Sequence, residues 1–580
     1  MKFSELADGL EKLESTSSRL EMTDLLADVF KKAKPNELQK IIYLMQGRIS
    51  PSFSNLEIGM GEKMVQQALA TASGFDKSKI EKLYTEKGDL GLVAMEVMGA
   101  RKQSALARRE LSVDDVFENF VKIATASGSG SQELKKSLLI DLFNSSSHTE
   151  AKWIARIPTG SLRLGVGEPT VMDALSVAKK GDKSLRYQLE VAFNQSSDLG
   201  SLAKAFMEKG AKGIENYSVN PGFPIRAALG ERAGTIEEIM TRMKTPLVEP
   251  KMDGFRQQIH KKGNEVTIYS RKQENMTHMF PEVVASVKKL KAKNIILDAE
   301  ALGYNPKTGS YLSFQETIKR KRKYGVTAKA EEMPLHVMCF DIMYLDGKDL
   351  TGKRFSERRK ILEKQILKND PVLTVIDQQE FRDAKSLEKY FKGIVKKNIE
   401  GIMAKNPELE YKAGKRGFHW MKYKPSYDAS KMRDTVDAVI IGYYKGRGKR
   451  TGFGFGGLLT AVYDEDDDEF KSIARVGSGF TEAQMSEFSN ALSKIKAAKK
   501  PARVDSDMEP DVWVTPKYVV TLIADEISLS PVHTAGRARG KGYALRFPRI
   551  VSGGVRIDKN PEQATTVSEI MRMYKQQHTK

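Results

Sequence analysis

The chain has 580 residues, 40% of them hydrophobic and 29% charged, with one cysteine, Cys339. That length predicts about three or four domains, and the composition excludes wholesale disorder, a run of about 18 apolar residues for a membrane span, an internal disulfide and a cysteine-built zinc site. Lysine and arginine number 95 against 75 aspartate and glutamate, a net +20, which favours a polyanionic partner because each neutralised phosphate releases counterions.

Met1 to Leu6 leads straight into an amphipathic pattern with Glu11 and Glu14, so no signal peptide is expected. Up to about Tyr217 the texture is helical, with apolar residues recurring at three and four over 22–33, 35–45, 62–72 and 113–126. A glycine-bearing loop, 160–167, leads into a helix near Glu168-Pro169, where proline suits the first turn. Amides at such a start, with Arg156 and Arg163 nearby, could grip backbone phosphates, although a plain helix–helix turn reads the same way. Asn220-Pro221-Gly222-Phe223-Pro224 ends the helical texture.

Beyond it, 246–260 and 265–271 read as two strands joined by a Lys-Lys-Gly-Asn turn. Segments 294–304 and 335–345 read as buried strands, and 357–368 as a helix. The texture changes again at 425–435. After that, 437–444, 458–463, 471–477 and 512–523 read as short strands with glycine-rich turns, which suits a small β-barrel, and 566–577 as a closing helix. The acidic run 464–469 reads as a solvated hairpin tip rather than a metal site. Segment 347–354 imitates a P-loop, but Arg354 replaces the hydroxyl that Mg²⁺ needs. Segment 452–457 imitates a dinucleotide fingerprint without a surrounding βαβ unit.

The chemistry is concentrated at Glu249-Pro250-Lys251-Met252-Asp253-Gly254-Phe255-Arg256, a K-x-D-G-x-R pattern at a strand end. A lysine there can attack the α-phosphate of a nucleotide once its amine is neutral, which calls for burial and nearby cations. The null alternative is a surface lysine followed by an Asp-Gly turn. Four further segments follow in order: Leu297-Asp298-Ala299-Glu300, Phe340-Asp341, Glu400 to Lys405, and Trp420-Met421-Lys422-Tyr423-Lys424. Two acids can hold Mg²⁺ against a triphosphate and several lysines can neutralise phosphates.

With these motifs the chain resembles the covalent nucleotidyltransferase superfamily, and within it the ATP-dependent DNA ligases of the archaeal and eukaryotic replicative type. Leu162-Arg163-Leu164-Gly165 is similar to part of that family's helical DNA-binding domain, Ile441 to Arg450 to the start of its OB-fold, and Ser528 to Pro531 with Leu545 to Arg549 to its last block. The resemblance implies a multidomain protein: an all-α DNA-binding domain over 1–217, an α+β adenylyltransferase domain over 218–428, and a β-barrel OB-fold with a C-terminal helix over 429–580. Lys251 would become AMP-lysine, Glu249 would read the adenine amino group and Phe340 would stack on the base. Arg256 and Glu300 would lie near ribose and metal, with Arg271 on the nucleotide or the nick phosphate. Glu400 would serve the metal, Lys422 and Lys424 the α-phosphate, and Arg546 and Arg549 the pyrophosphate. Arg163, Arg447 and Lys449 would contact DNA.

Pro250 and Met252 depart from the family, which usually has an aromatic residue at the first position and often Tyr or Leu at the second. The implied activity is sealing of nicked double-stranded DNA by a cytoplasmic, prokaryotic, archaeal-type monomer using ATP and Mg²⁺. An RNA ligase or capping enzyme would lack the helical front domain, and an inactive nick sensor would not need the lysine, acids and arginines. A sliding-clamp partner is implied at Arg101 to Leu106, where the aromatic pair that fills a clamp pocket is missing.

Overall fold

The computed structural model describes residues 1–16, 18–101, 109–160, 162–215, 217–305, 308–312, 314–322, 325–397, 399–424, 435–446 and 454–578. The implied clamp segment, apart from Arg101, therefore lies outside the described residues, as do Arg447 and Lys449.

From Phe3–Ser15 to Leu199–Lys209 the described chain is helical and surrounds one apolar core that runs from Phe3 to Ile214. The helix expected over 35–45 is observed as Pro35–Met45. The one expected over 22–33 starts earlier, at Arg19–Lys32, because Ser18 caps it by accepting the Glu21 N–H. Glu168–Lys180 opens with proline in its first turn. The loop before it does not face solvent: Gly165, at φ +67°, lies against Ala502 of the C-terminal region.

The middle region holds two sheets. The five-stranded one runs in the order Leu229–Arg232, Arg416–Tyr423, Gly401–Lys405, Leu247–Lys251, Gln379–Glu380. The seven-stranded one is built on Glu265–Ser270, Phe255–Lys262, Asn294–Asn305 and Leu335–Leu345. Ile296, Phe340, Met343, Tyr411 and Trp420 pack between them. The single strand expected over 246–260 is thus two strands in different sheets. Met252-Asp253-Gly254 makes the crossing, and a Cβ on Gly254 would stand 2.4 Å from the Ala301 carbonyl oxygen, so only glycine lets the chain pass there.

The C-terminal region is β-rich. Its eight-stranded sheet curls around Val436–Tyr444, Gly457–Asp464 and Glu469–Val476. No continuous ladder closes it among the described residues, and Ser478 meets Arg549 only as an isolated bridge. The expected closed barrel is met as a curled, partly open sheet. The strand expected over 512–523 is interrupted between Val512–Val514 and Val519–Ile523, a stretch that contains Pro516. A helix not anticipated there, Glu482–Ser493, is capped by Thr481.

The acidic tip also needs correction. Asp464 and Asp467 do hold Lys471 at the surface, but Asp468 is 1% exposed. It pairs with Arg503, accepts the Tyr463 hydroxyl at 2.8 Å, and reaches Arg19 at 3.4 Å and Thr170 at 3.5 Å in the helical region. One carboxylate of the run is therefore an anchor between regions, which a charge pattern alone does not distinguish from its solvated neighbours.

Candidate functional site

A cavity of about 420 Å³ opens where both middle sheets meet the C-terminal region. Alternation along Leu247–Lys251 puts Glu249 and Lys251 on the same face, toward this space. Pro250 between them costs nothing: it pairs with Ile402 on one side, while the other neighbour, Gln379–Glu380, reaches only Leu247 and Val248. After the Gly254 crossing, Arg256 lies in register with Glu300 on the adjacent strand. Phe340 enters through a bulge, because the pairing jumps from Asp298↔Asp341 to Ala299↔Cys339 and leaves it as the extra residue. Asp341 behind it is fully buried and held by Arg358 at 2.8 and 2.9 Å.

Most of the cavity's charges are paired. Lys251 is bonded to Glu400, which also takes Lys424. Burial lowers the Lys251 pKa, but Glu400, with Glu300 and Asp253 behind it, outweighs burial and raises it. The expected neutral amine is therefore not what this arrangement holds: Lys251 is an ammonium clamped by a carboxylate. Glu400 is brought down to about 2; burial opposes this, but Lys251 and Lys424 prevail. Glu300 goes the other way, pushed up to about 8 by burial despite Lys251 and Arg256. Glu249 is 2% exposed, with Lys405 at 2.8 Å, Arg359 at 3.5 Å and the Gln378 amide at 2.8 Å. Lys405 in turn donates to the Phe340 carbonyl at 3.0 Å and stands 4.5 Å from the ring of Phe340 and 4.6 Å from that of Trp420. Arg271, with a buried Nε lacking a hydrogen-bond partner, is lowered to about 10 by burial.

Glu249, Lys251, Arg256, Arg271, Glu300, Phe340, Glu400, Lys422 and Lys424 all line this space. Arg546 and Arg549 do not: they face Glu526 and Asp525 at the surface. The C-terminal residues that reach the cavity include Arg556, Asp558 and Lys559, where Arg556 binds Asp558 at 2.7 Å and Lys559 binds Asp437. Lys559 is lowered to about 8 by burial, against Asp437. The signal for them is the cluster Arg556-Ile557-Asp558-Lys559, ten residues past Arg546. Arg416, on the same strand as Lys422, was missed as well. It meets Glu569 of the helix Val567–His578, and so does Lys422 at 3.3 Å, with Arg232 at 3.5 Å. Burial brings Lys422 down to about 7, against Glu569. Arg163 turns inward to the Gly88 carbonyl at 2.8 Å and Asp89 at 3.5 Å, with its side chain 14% exposed, so it is not presented to a phosphate here. Arg156 likewise is spent on Asp89 and Glu14.

A half-buried lysine, two acids and a ring of cations around one cavity are a set whose chemistry suits covalent nucleotidyl transfer. Residues 227–424 match the family described as ATP dependent DNA ligase domain, residues 2–176 DNA ligase N terminus, and residues 451–559 ATP dependent DNA ligase C terminal region. The chain is 47% identical over 579 residues to a probable DNA ligase of Dictyoglomus turgidum, covering 100% of this chain and 98% of that one. It is 40% identical over 590 residues to DNA ligase 2 of Thermofilum pendens, with the same coverage, and 38% over 582 residues to a DNA ligase of Nitrosopumilus maritimus, again with 100% and 98% covered. The chain belongs to the ATP-dependent DNA ligase family.

Proposed function

We propose that the protein seals 5′-phosphate/3′-hydroxyl nicks in duplex DNA, with Lys251 as the nucleophile. Its amine attacks the α-phosphorus of ATP and pyrophosphate leaves. The AMP then passes to the 5′-phosphate of the nick, and the 3′-hydroxyl displaces AMP as the phosphodiester forms. The observation that carries this reading is Lys251 bonded to Glu400 in a cation-lined cavity that Glu300 also lines, in a chain of the DNA ligase family.

The residues fit Mg²⁺. Among the described residues no group of three or more potential metal ligands is gathered, and Mg²⁺ is characteristically held by one or two carboxylates plus substrate phosphates. Glu300, pushed up to about 8 by burial despite Lys251 and Arg256, lines the cavity without an ion pair among the described residues. Bound there with Glu400, the ion would supply neutralisation of phosphate charge. Phe340 offers its ring to the base and Glu249 its carboxylate to the amino group. Lys422, Lys424 and Arg416 face the phosphates, and Arg556 and Lys559 take the leaving-group role first given to Arg546 and Arg549. The domains run over 1–217, 218–428 and 429–580, the last an OB-fold, and Arg447 and Lys449 are assigned to DNA. Because Lys251 serves ATP and then a nick, the C-terminal region must move between the steps. The protein acts as a monomer, and a clamp contact at Arg101 to Leu106 completes the reading.

Nicked DNA and nicked RNA duplexes offered in competition test the acceptor: sealing restricted to DNA is the expected result, and preferential sealing of RNA would reject it. A pH dependence follows from Lys251. Its raised pKa means the neutral fraction grows with pH, by up to about tenfold per unit below that pKa. Initial rates of AMP transfer from ATP should therefore climb between about pH 6 and 9, and a flat profile would contradict a Lys251 that rests protonated.

A further inference from the structure

Tyr411 lies outside the cavity wall, 5% exposed, yet its hydroxyl joins three parts of the site. It accepts the Ala228 N–H at 3.1 Å, donates to Asp298 Oδ2 at 3.0 Å, and takes Arg256 Nη2 at 3.3 Å. Arg256 meets the same carboxylate twice, Nε to Oδ1 at 2.8 Å and Nη2 to Oδ2 at 2.5 Å, and donates from Nη1 to the Ala228 carbonyl at 2.7 Å. Asp298 is fully buried. One phenolic oxygen therefore links Arg256, its counter-ion, and the segment Ala228-Leu229-Gly230 that lines the cavity on the helical-region side.

The frame around Tyr411 is itself fixed. Its N–H bonds to the Thr351 carbonyl at 2.9 Å, Gly414 N–H to the Arg226 carbonyl at 3.0 Å, and Leu229 N–H to the Lys415 carbonyl at 3.1 Å. Its ring stands edge-on to Trp420 at 5.8 Å, and Trp420 edge-on to Phe340 at 5.9 Å. Burial first, and then the Asp298 charge, push the phenol up, so its proton stays in place for Asp298. Removing only the oxygen would leave the ring packing intact, strip a donor from a buried carboxylate and orphan a buried amide.

We propose that Tyr411 is a positioning residue for lysine adenylylation, its hydroxyl fixing Arg256 and the Ala228–Gly230 wall in the geometry that receives ATP. This rests on the ligase reading above. The test is the ATP dependence of Lys251-AMP formation in Tyr411→Phe, alone and in an Arg256→Ala background, with thermal melts alongside. The KM for ATP is expected to rise about tenfold, or about 1.4 kcal/mol, with kcat changed less than about threefold and the melting temperature lowered by no more than a few degrees. In the Arg256→Ala background the same change should cost less than about twofold, because coupled residues are not additive.

An unchanged KM, or the same loss in both backgrounds, would overturn the proposal, since a role confined to packing adds in full. Should Tyr411→Phe fail to fold, Asp298→Asn carries the test: it weakens the acceptor shared by Arg256 and Tyr411, an equal or larger rise in KM is expected, and an unchanged KM overturns the idea. An AMP adduct in wild type with an insensitive Tyr411→Phe defeats this inference alone, whereas no adduct in wild type defeats the ligase reading beneath it.

Discussion

Lys251→Ala is expected to lower sealing of ordinary nicked DNA from ATP by more than about 10⁴-fold, the scale of losing a covalent nucleophile. The same variant should seal a nick that already carries 5′-AMP to within about tenfold of wild type. The asymmetry follows from the site. Lys251 ends the strand Leu247–Lys251 and is bonded to Glu400, whereas Lys424, Arg416 and Arg271 also line the cavity and remain to hold phosphates in the variant. A gel assay with the two substrates side by side decides it. Equal loss on both would mean that Lys251 acts as a phosphate-binding cation, not as the nucleophile.

Glu569→Gln is expected to destabilise the protein by about 3–5 kcal/mol, the range for removing one partner of a buried ion pair. Glu569 is 1% exposed and faces Lys422, Arg416 and Arg232 from the C-terminal helix. Burial raises its carboxyl, but these three cations outweigh burial and hold it well below the usual carboxylate range. A depressed carboxyl contributes stability that is present above its unfolded pKa, about 4.3, and is lost as pH falls through the folded value. Wild type should therefore lose stability on acidification more steeply than Glu569→Gln, as read by urea melts at neutral and acid pH. Parallel losses in the two proteins would show that the helix is held by Ile570 and Met573 packing alone.

Much of this was legible because the signals were local. Pro35–Met45 follows from apolar spacing and a proline start, and Leu335–Leu345 from a largely apolar run interrupted only by His336 and Asp341. The cavity set around Lys251 followed from the resemblance, and alternation does place Glu249 and Lys251 on one face of their strand. What escaped depended on tertiary context. The crossing at Gly254 exists because the Ala301 carbonyl sits 2.4 Å from where a Cβ would be, a fact of a strand forty-odd residues away. Phe340 reaches the cavity through a bulge that no alternation rule contains. Asp468 shares its run with five other acids, and Arg503 and Tyr463 on one side with Arg19 and Thr170 on the other make it an anchor. Arg546 and Arg556 look alike as basic residues near strands; the sheet turns one toward Glu526 and the other toward the cavity.

The most direct test of the account is the mass of the intact protein after incubation with ATP and Mg²⁺, followed by peptide mapping. The expected result is one added AMP, mapped to Lys251 and removed by pyrophosphate. An adduct on another lysine, or none from ATP even after pyrophosphate stripping of the purified protein, would contradict it.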